Sequence, residues 1–190
     1  AAEVVHWSFE TLSSTARALS ARGYGAAVAL GIGVEHLPAC SALADSGFPL
    51  VLHNRRLHQL RIPSVHRDDY SAAQRVGKML HELGHRNMCM ICAEGENPMS
   101  GGLGRQRGWL DFLRDADLIP ECVPALSIVG YPAQQTVYLR RALLSGNHPT
   151  ALVLAGPSLA TRFLKAMPDL RRLVPERFSV VTFDRRLWLG

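Results

Sequence analysis

Short runs of wholly apolar residues alternate along this chain with stretches in which apolar residues recur every three to four positions. A run apolar on both sides suits a strand covered on both faces, and the three-to-four spacing suits a helix with one buried stripe. Val4–Trp7 reads as a first strand, and Phe9, Leu12, Ala16 and Leu19 then follow at helical intervals up to Gly23, a left-handed C-cap. Ala26–Leu30 is a strand, and a helix runs from Glu35 to Asp45, ending at Gly47. Pro49–His53 and Ile62–Val65 are further strands. Asp68 or Asp69 then caps a helix that reaches Leu83 and stops at Gly84. Met88–Ala93, Ala125–Val129, Ala151–Ala155 and Phe178–Phe183 continue the strands. Helices Arg105–Ala116, Pro132–Leu144 (ended by Gly146) and Ser158–Met167 lie between them.

The alternation of strands with helices predicts an α/β fold built on doubly wound parallel sheets. With 190 residues the chain can bury a real core in one domain or two small lobes. The stretch Arg55–Asp69 reads as a crossover, so residues 1–67 are expected to form one lobe and 68–190 a second. Ligands of parallel α/β sheets sit outside the carboxyl ends of the strands. That rule alone selects Asn54, the glycine-rich stretch Glu94–Gly104, Gly130–Tyr131, Gly156–Pro157 and Asp184.

Composition narrows the class of protein. Apolar residues make up 47% of the chain and charged residues 19%, as in an ordinary soluble domain. No run of eighteen apolar residues exists to cross a membrane, and the N-terminus lacks a basic stretch leading into an apolar one. The net charge of +5 comes almost wholly from arginines, with Lys78 and Lys165 the only lysines. These arginines are scattered in pairs rather than set in a stripe beside a groove-filling helix, so most of them are expected to be solvated surface. Cys40, Cys89, Cys92 and Cys122 show no disulfide framework, which fits a reduced, cytoplasmic setting.

Three motifs invite chemistry that their context argues against. His81-Glu-Leu-Gly-His85 matches the zinc-protease pattern, which needs both imidazoles on one helix face. Gly84 ends the helix before His85, so the two do not share a face. Cys89-Met-Ile-Cys92 matches a redox pair, but within a strand residues three apart point to opposite faces. Gly101-Gly-Leu-Gly104 lacks the lysine of a phosphate loop and reads as a loop leading into a ligand site. There is no G-x-S-x-G elbow, and His6, His36, His58 and His148 stand singly in loops or at element ends. No catalytic residue, metal or cofactor is expected.

Five segments carry a resemblance. They are Ile62-Pro-Ser-Val-His-Arg-Asp-Asp69, Leu83-Gly-His-Arg86, Arg105-Gln-Arg-Gly-Trp109, Pro149-Thr-Ala-Leu-Val153 and Val174-Pro-Glu-Arg-Phe-Ser-Val-Val-Thr-Phe-Asp184. In this order and spacing they resemble the effector-binding core of the Lac/Gal repressor family of transcription regulators, from about Gly23 to Asp184. The resemblance implies a periplasmic-binding-protein type I fold, with two α/β lobes closing on a small effector, incomplete here at both ends. It further implies a cytoplasmic homodimer without a membrane partner. Operator DNA would be read by a helix-turn-helix domain that this sequence does not contain.

On the same resemblance, Arg105 matches an arginine that grips effector hydroxyls or a carboxylate, and Asp184 an acid that accepts bonds from ligand hydroxyls. Tyr131 matches an aromatic that stacks on the effector ring, and Asn54 stands where many members carry aspartate. Gly156-Pro157 replaces the usual Asn-Asp, and Arg185-Arg-Leu-Trp-Leu-Gly190 replaces a second acid and a longer continuation. A periplasmic solute-binding protein of a sugar transporter shares the fold and is the alternative. An enzyme reading rests on His81–His85 alone.

Overall fold

Each apolar run that the sequence marks as a strand pairs in parallel with another wherever it is described. The computed structural model describes residues 12–30, 32–54, 60–93, 102–118, 122–125, 141, 143–144, 146, 148–156, 159–161, 165 and 168–183. The chain divides into two units, the first up to Arg67 and the second from Asp68 onward. The expected strand Val4–Trp7 lies outside the described residues, as do most of the expected helices Pro132–Leu144 and Ser158–Met167.

In the first unit, α1 (Leu12–Ala21) leads to β1 (Ala27–Ala29). A short 3-10 turn (Val34–His36) then opens α2 (Leu37–Asp45), followed by β2 (Leu50–His53) and β3 (Ser64–Val65). The sheet order is β1-β2-β3. Leu19, Cys40, Leu43, Phe48, Leu50 and Leu52 bury together, so both helices and the central strand supply this core.

The second unit carries α3 (Asp69–Glu82), β4 (Met88–Ala93), α4 (Gly102–Asp115), β5 (Cys122–Ala125), β6 (Ala151–Leu154), α5 (Pro168–Arg171) and β7 (Ser179–Thr182). Its sheet runs β5-β4-β6-β7. The two-residue period of a strand sorts the side chains into two cores. Met88, Met90 and Cys92 join Ala151 and Val153 on the face covered by α3 and α4. Cys89 and Ile91 join Leu152 and Leu154 on the other face, with Leu143, Ala160 and Phe178. The two cysteines of the C-x-x-C motif therefore lie buried on opposite faces, as strand geometry requires.

Helix ends follow one device. At α3 the His85 N–H donates to Leu80 O and the Gly84 N–H to His81 O, with Gly84 at φ +94°. These are the paired bonds that close a helix through a left-handed residue. The same pair closes α1 at Gly23 and α4 at Asp117, the latter at φ +54°. At the other end of α3, the Asp68 carboxylate accepts from the Ser71 N–H at 3.0 Å. That N-cap leaves Asp69 in the first helical turn with its carboxylate available for a distant partner.

Glycines set how closely α3 meets α4: Gly77 of α3 faces the Phe112 ring, and Gly104 and Gly108 of α4 face the start of α3. A Cβ at Gly108 would fall 2.2 Å from the Tyr70 carbonyl oxygen, and one at Gly104 would stand 3.3 Å from Asp69 Cβ. Gly104 and Gly108 are four apart and share a helix face, so the start of α3 lies directly on the backbone of α4. Gly108→Ala should cost about 1–3 kcal/mol, because the obstacle is backbone and cannot rotate away. Gly146→Ala, which meets nothing within 4 Å, should stay within about 0.5 kcal/mol. Urea unfolding midpoints of the two variants check this contrast.

Candidate ligand site at the strand ends

β4 is the branching strand of the second sheet. The chain next adds β5 on one side of it and then β6 on the other. Connections leave in opposite directions at such a point, and the carboxyl ends of the two diverging strands frame a crevice. The crevice therefore belongs to the ends of β4 and β6, and α4 enters it directly after β4.

Arg105 sits there, in the first turns of α4, and is only 5% exposed. Expected as one of many solvated arginines or as a ligand contact, it is the buried charged side chain of the described residues. Its Nε donates to Asp69 Oδ1 at 2.7 Å, and its Nη2 lies 2.7 Å from the same oxygen. Its Nη1 donates to the carbonyl of Ala155, the residue that follows β6. The Phe183 ring covers one face of the guanidinium, with the charge 4.5 Å from the ring centroid. Burying a guanidinium without compensation would cost several kcal/mol. Here a carboxylate, a carbonyl dipole and an aromatic face supply the compensation together.

Of the residues selected from the sequence, the structure brings two together. Gly156 adjoins Arg105: a Cβ there would stand 3.9 Å from Nη1. Asn54 belongs to the first unit, at the end of β2, in the left-handed region at φ +57°. Its N–H donates to Val65 O at 2.7 Å. Asparagine and aspartate both tolerate that backbone, so the position admits either on steric grounds. Tyr131, Pro157 and Asp184 lie outside the described residues, as do Glu94–Gly101.

Three contributors were not identified from the sequence. Asp69 was read as a possible helix cap, and its partner lies 36 residues away. Phe183 was read only as the end of a strand. Trp109, one turn on from Arg105, is fully buried, and its indole N–H has no acceptor among the described residues. Acid in the first turn of α3 and glycines four apart in α4 are the signals that would have pointed to Asp69.

Three histidines of the second unit are engaged elsewhere. His85 lies beyond α3 and bridges two strands at their amino ends: its Nδ1 is 2.8 Å from Thr150 Oγ1 and its Nε2 is 3.0 Å from Ser179 Oγ. Thr150 Oγ1 also donates to Asn87 O. His81 packs edge-on against Phe112. His148 accepts at Nε2 from Arg177 Nε at 3.1 Å. Among the described residues no cluster of three His, Cys, Asp or Glu can hold a metal ion.

A parallel α/β domain with a buried arginine at its switch point defines a ligand-binding class, and the comparisons make it specific. Residues 78–187 match the periplasmic binding protein-like domain family, and the chain belongs to it. An HTH-type transcriptional regulator from the aml 5′ region of Streptomyces limosus is 29% identical over 155 residues. That match takes in 75% of this chain and 40% of the relative, so the chain spans less than half of the relative's length. A LacI-family regulatory protein from Chloroflexus aggregans superimposes with a TM-score of 0.74 at 20% identity, over 96% of this chain and 66% of its own. A LacI-family sugar-binding transcriptional regulator from Escherichia coli, solved with phosphate, gives 0.65 at 20% identity, over 90% and 61%. The Lac/Gal resemblance and the fold class read from the sequence are both borne out. Among the described residues no helix is long and apolar enough to cross a membrane.

Removing one partner of the buried pair should be severe. Arg105→Met leaves the Asp69 carboxylate buried without its cation and should cost about 3–5 kcal/mol. Arg105→Met combined with Asp69→Leu should recover much of that loss in the same urea titration, because the carboxylate and its cation are then removed together.

A second ion pair on the outer face of α3 and α4 gives a pH test. The Tyr70 hydroxyl donates to Asp111 Oδ2 at 2.9 Å, and Arg114 Nη1 donates to Oδ1 at 2.8 Å. First the tyrosine bond and then the arginine bond hold the Asp111 carboxyl below its ordinary 3.8. A carboxyl lowered in the folded state contributes stability above its unfolded value, and that contribution is lost as pH falls through the folded one. Asp111→Asn should therefore show a smaller loss of thermal midpoint between pH 7 and pH 3 than the unmodified protein. The group is solvent-exposed, so the effect should shrink in high salt.

Proposed function

We propose that this chain is the effector-sensing and dimerisation part of a Lac/Gal-type transcription regulator. The observation that carries the reading is Arg105, held buried and oriented at the carboxyl ends of β4 and β6. The arginine is fixed before any ligand arrives, which lowers the ordering cost of binding. Support also comes from the HTH-type regulator of Streptomyces limosus and from the LacI-family regulators of like fold. The role is binding rather than catalysis.

In this reading the effector is a small metabolite such as a sugar. Arg105 and the Gly156 backbone are its contacts at the β6 end. Tyr131 supplies a stacking ring and Asp184 an acceptor for hydroxyls. Asn54, at the end of β2, serves as a polar ligand contact. The parent protein is a cytoplasmic homodimer that binds operator DNA through a separate segment. An effector that binds two conformations of the core unequally shifts their populations and so changes operator affinity. Each tenfold difference in affinity between the two states is worth about 1.4 kcal/mol of shift.

Thermal-shift screening of the chain against a saccharide panel tests this directly. A hit should raise the unfolding midpoint in a concentration-dependent way, change tryptophan emission through Trp109, and weaken at least tenfold in Arg105→Lys. Lysine keeps the charge but loses the planar fork. A hit whose affinity is unchanged in Arg105→Lys would remove Arg105 from the site. Operator binding by the parent protein that ignores every stabilising ligand would remove the regulatory role.

A further inference from the structure

The reading above leaves open what charge an effector carries, and the surroundings of Arg105 bear on it. Nε and Nη2 both face one carboxylate oxygen, Asp69 Oδ1, at 2.7 Å. That side chain is itself only 11% exposed. The positive charge is thus met inside the protein, on the edge of the guanidinium best shaped to grip an anion. Its face is covered by Phe183 and its Nη1 is directed at Ala155 O. The buried donors without a partner among the described residues, the Trp109 indole N–H and the Thr182 hydroxyl, are both neutral. At the end of β6, Ala155 and Gly156 offer backbone only.

Resting on the assignment of this site as the effector site, we propose that Asp69 makes it selective for uncharged, hydroxyl-bearing ligands over carboxylates and phosphates. An anionic ligand reaching Arg105 meets a second carboxylate on the same guanidinium. Two like charges crowded on one buried cation repel strongly, and one of them must leave or take up a proton. A hydroxyl group carries no such penalty. It accepts from an N–H and donates to a carboxylate or carbonyl, and both kinds of partner are present. Asp69 thus acts twice, holding Arg105 in place and setting the charge the pocket accepts.

The rule is testable with simple probes. Inorganic phosphate and glucuronate, each to 10 mM, are titrated into the full chain and into Asp69→Asn, with thermal midpoint and tryptophan emission as readouts. A panel of neutral glycosides runs in parallel. The unmodified chain should not respond to either anion, whereas Asp69→Asn should bind at least one of them ten times more tightly or better. The uncompensated guanidinium then recruits an external counter-ion. Anion binding by the unmodified chain that is lost in Arg105→Lys overturns the proposal. So does an Asp69→Asn variant that folds and gains no anion affinity. Asp69→Ser, smaller and also neutral, repeats the comparison should the asparagine variant fold poorly, and the arm with the unmodified chain needs no variant. The two readings separate on the neutral glycosides. Arg105-dependent binding of a glycoside together with failure of the anion test leaves the effector site standing and removes the charge rule. Silence of every probe in every variant removes both.

Discussion

One ion pair fixes the geometry of the second unit's strand ends. Asp69 and Arg105 come within 2.7 Å only because the first turn of α3 lies on the backbone of α4 at Gly104 and Gly108. Any side chain at Gly108 would collide with a carbonyl, push the helices apart and draw the carboxylate away from the guanidinium. The buried arginine would then lack its counter-charge, and an unpaired buried charge is among the most costly features a core can hold. Helix packing and site electrostatics are therefore one constraint. The glycines serve the charge, and the charge in turn ties α3 and α4 to the end of β6 through Ala155.

The two ends of the second sheet are built from different chemistry. At the amino ends, His85, Thr150, Ser179 and Asn87 interlock through side-chain and backbone hydrogen bonds, with no carboxylate among them. That network brings the residues after α3 onto β6 and β7 and fills the donors and acceptors of the imidazole. At the carboxyl ends the compensation is ionic and rests on a single arginine. Hydrogen-bonded networks with every partner satisfied are rigid. Among the described residues the arginine is held by a carboxylate, a carbonyl and a ring. The two ends of the sheet are thus held by different kinds of interaction.

Much of this architecture was legible because it rests on local periodicity. Strands and helices alternate in the sequence as they do in the structure, and Gly23, Gly47 and Gly84 each take the left-handed backbone expected of them. The fate of His81–His85 followed from Gly84 alone, and the opposite faces of Cys89 and Cys92 from the pleat. Boundaries fared less well. Helix α4 begins at Gly102 rather than Arg105, since two glycines and a leucine gave no helical signal until they were packed. It ends through Asp117, a residue whose left-handed backbone is allowed but not announced. Arg105 was identified through family resemblance, whereas Asp69 was not, because the pairing spans 36 residues and leaves no periodic trace.

That asymmetry explains why likeness of fold stops short of ligand chemistry. The parallel sheet and its switch point are properties of the backbone path, and proteins 20% identical share that fold. What the arginine does is decided by the charges packed around it, and those come from residues that the backbone path does not dictate. An Arg105 without Asp69 would be an anion trap at the end of β6. With Asp69 at 2.7 Å it is paired with a carboxylate inside the protein, and on our proposal that pairing turns an anionic ligand away. The backbone-only ending at Ala155-Gly156 fits the same logic, because it adds dipoles to the pocket and no further charge.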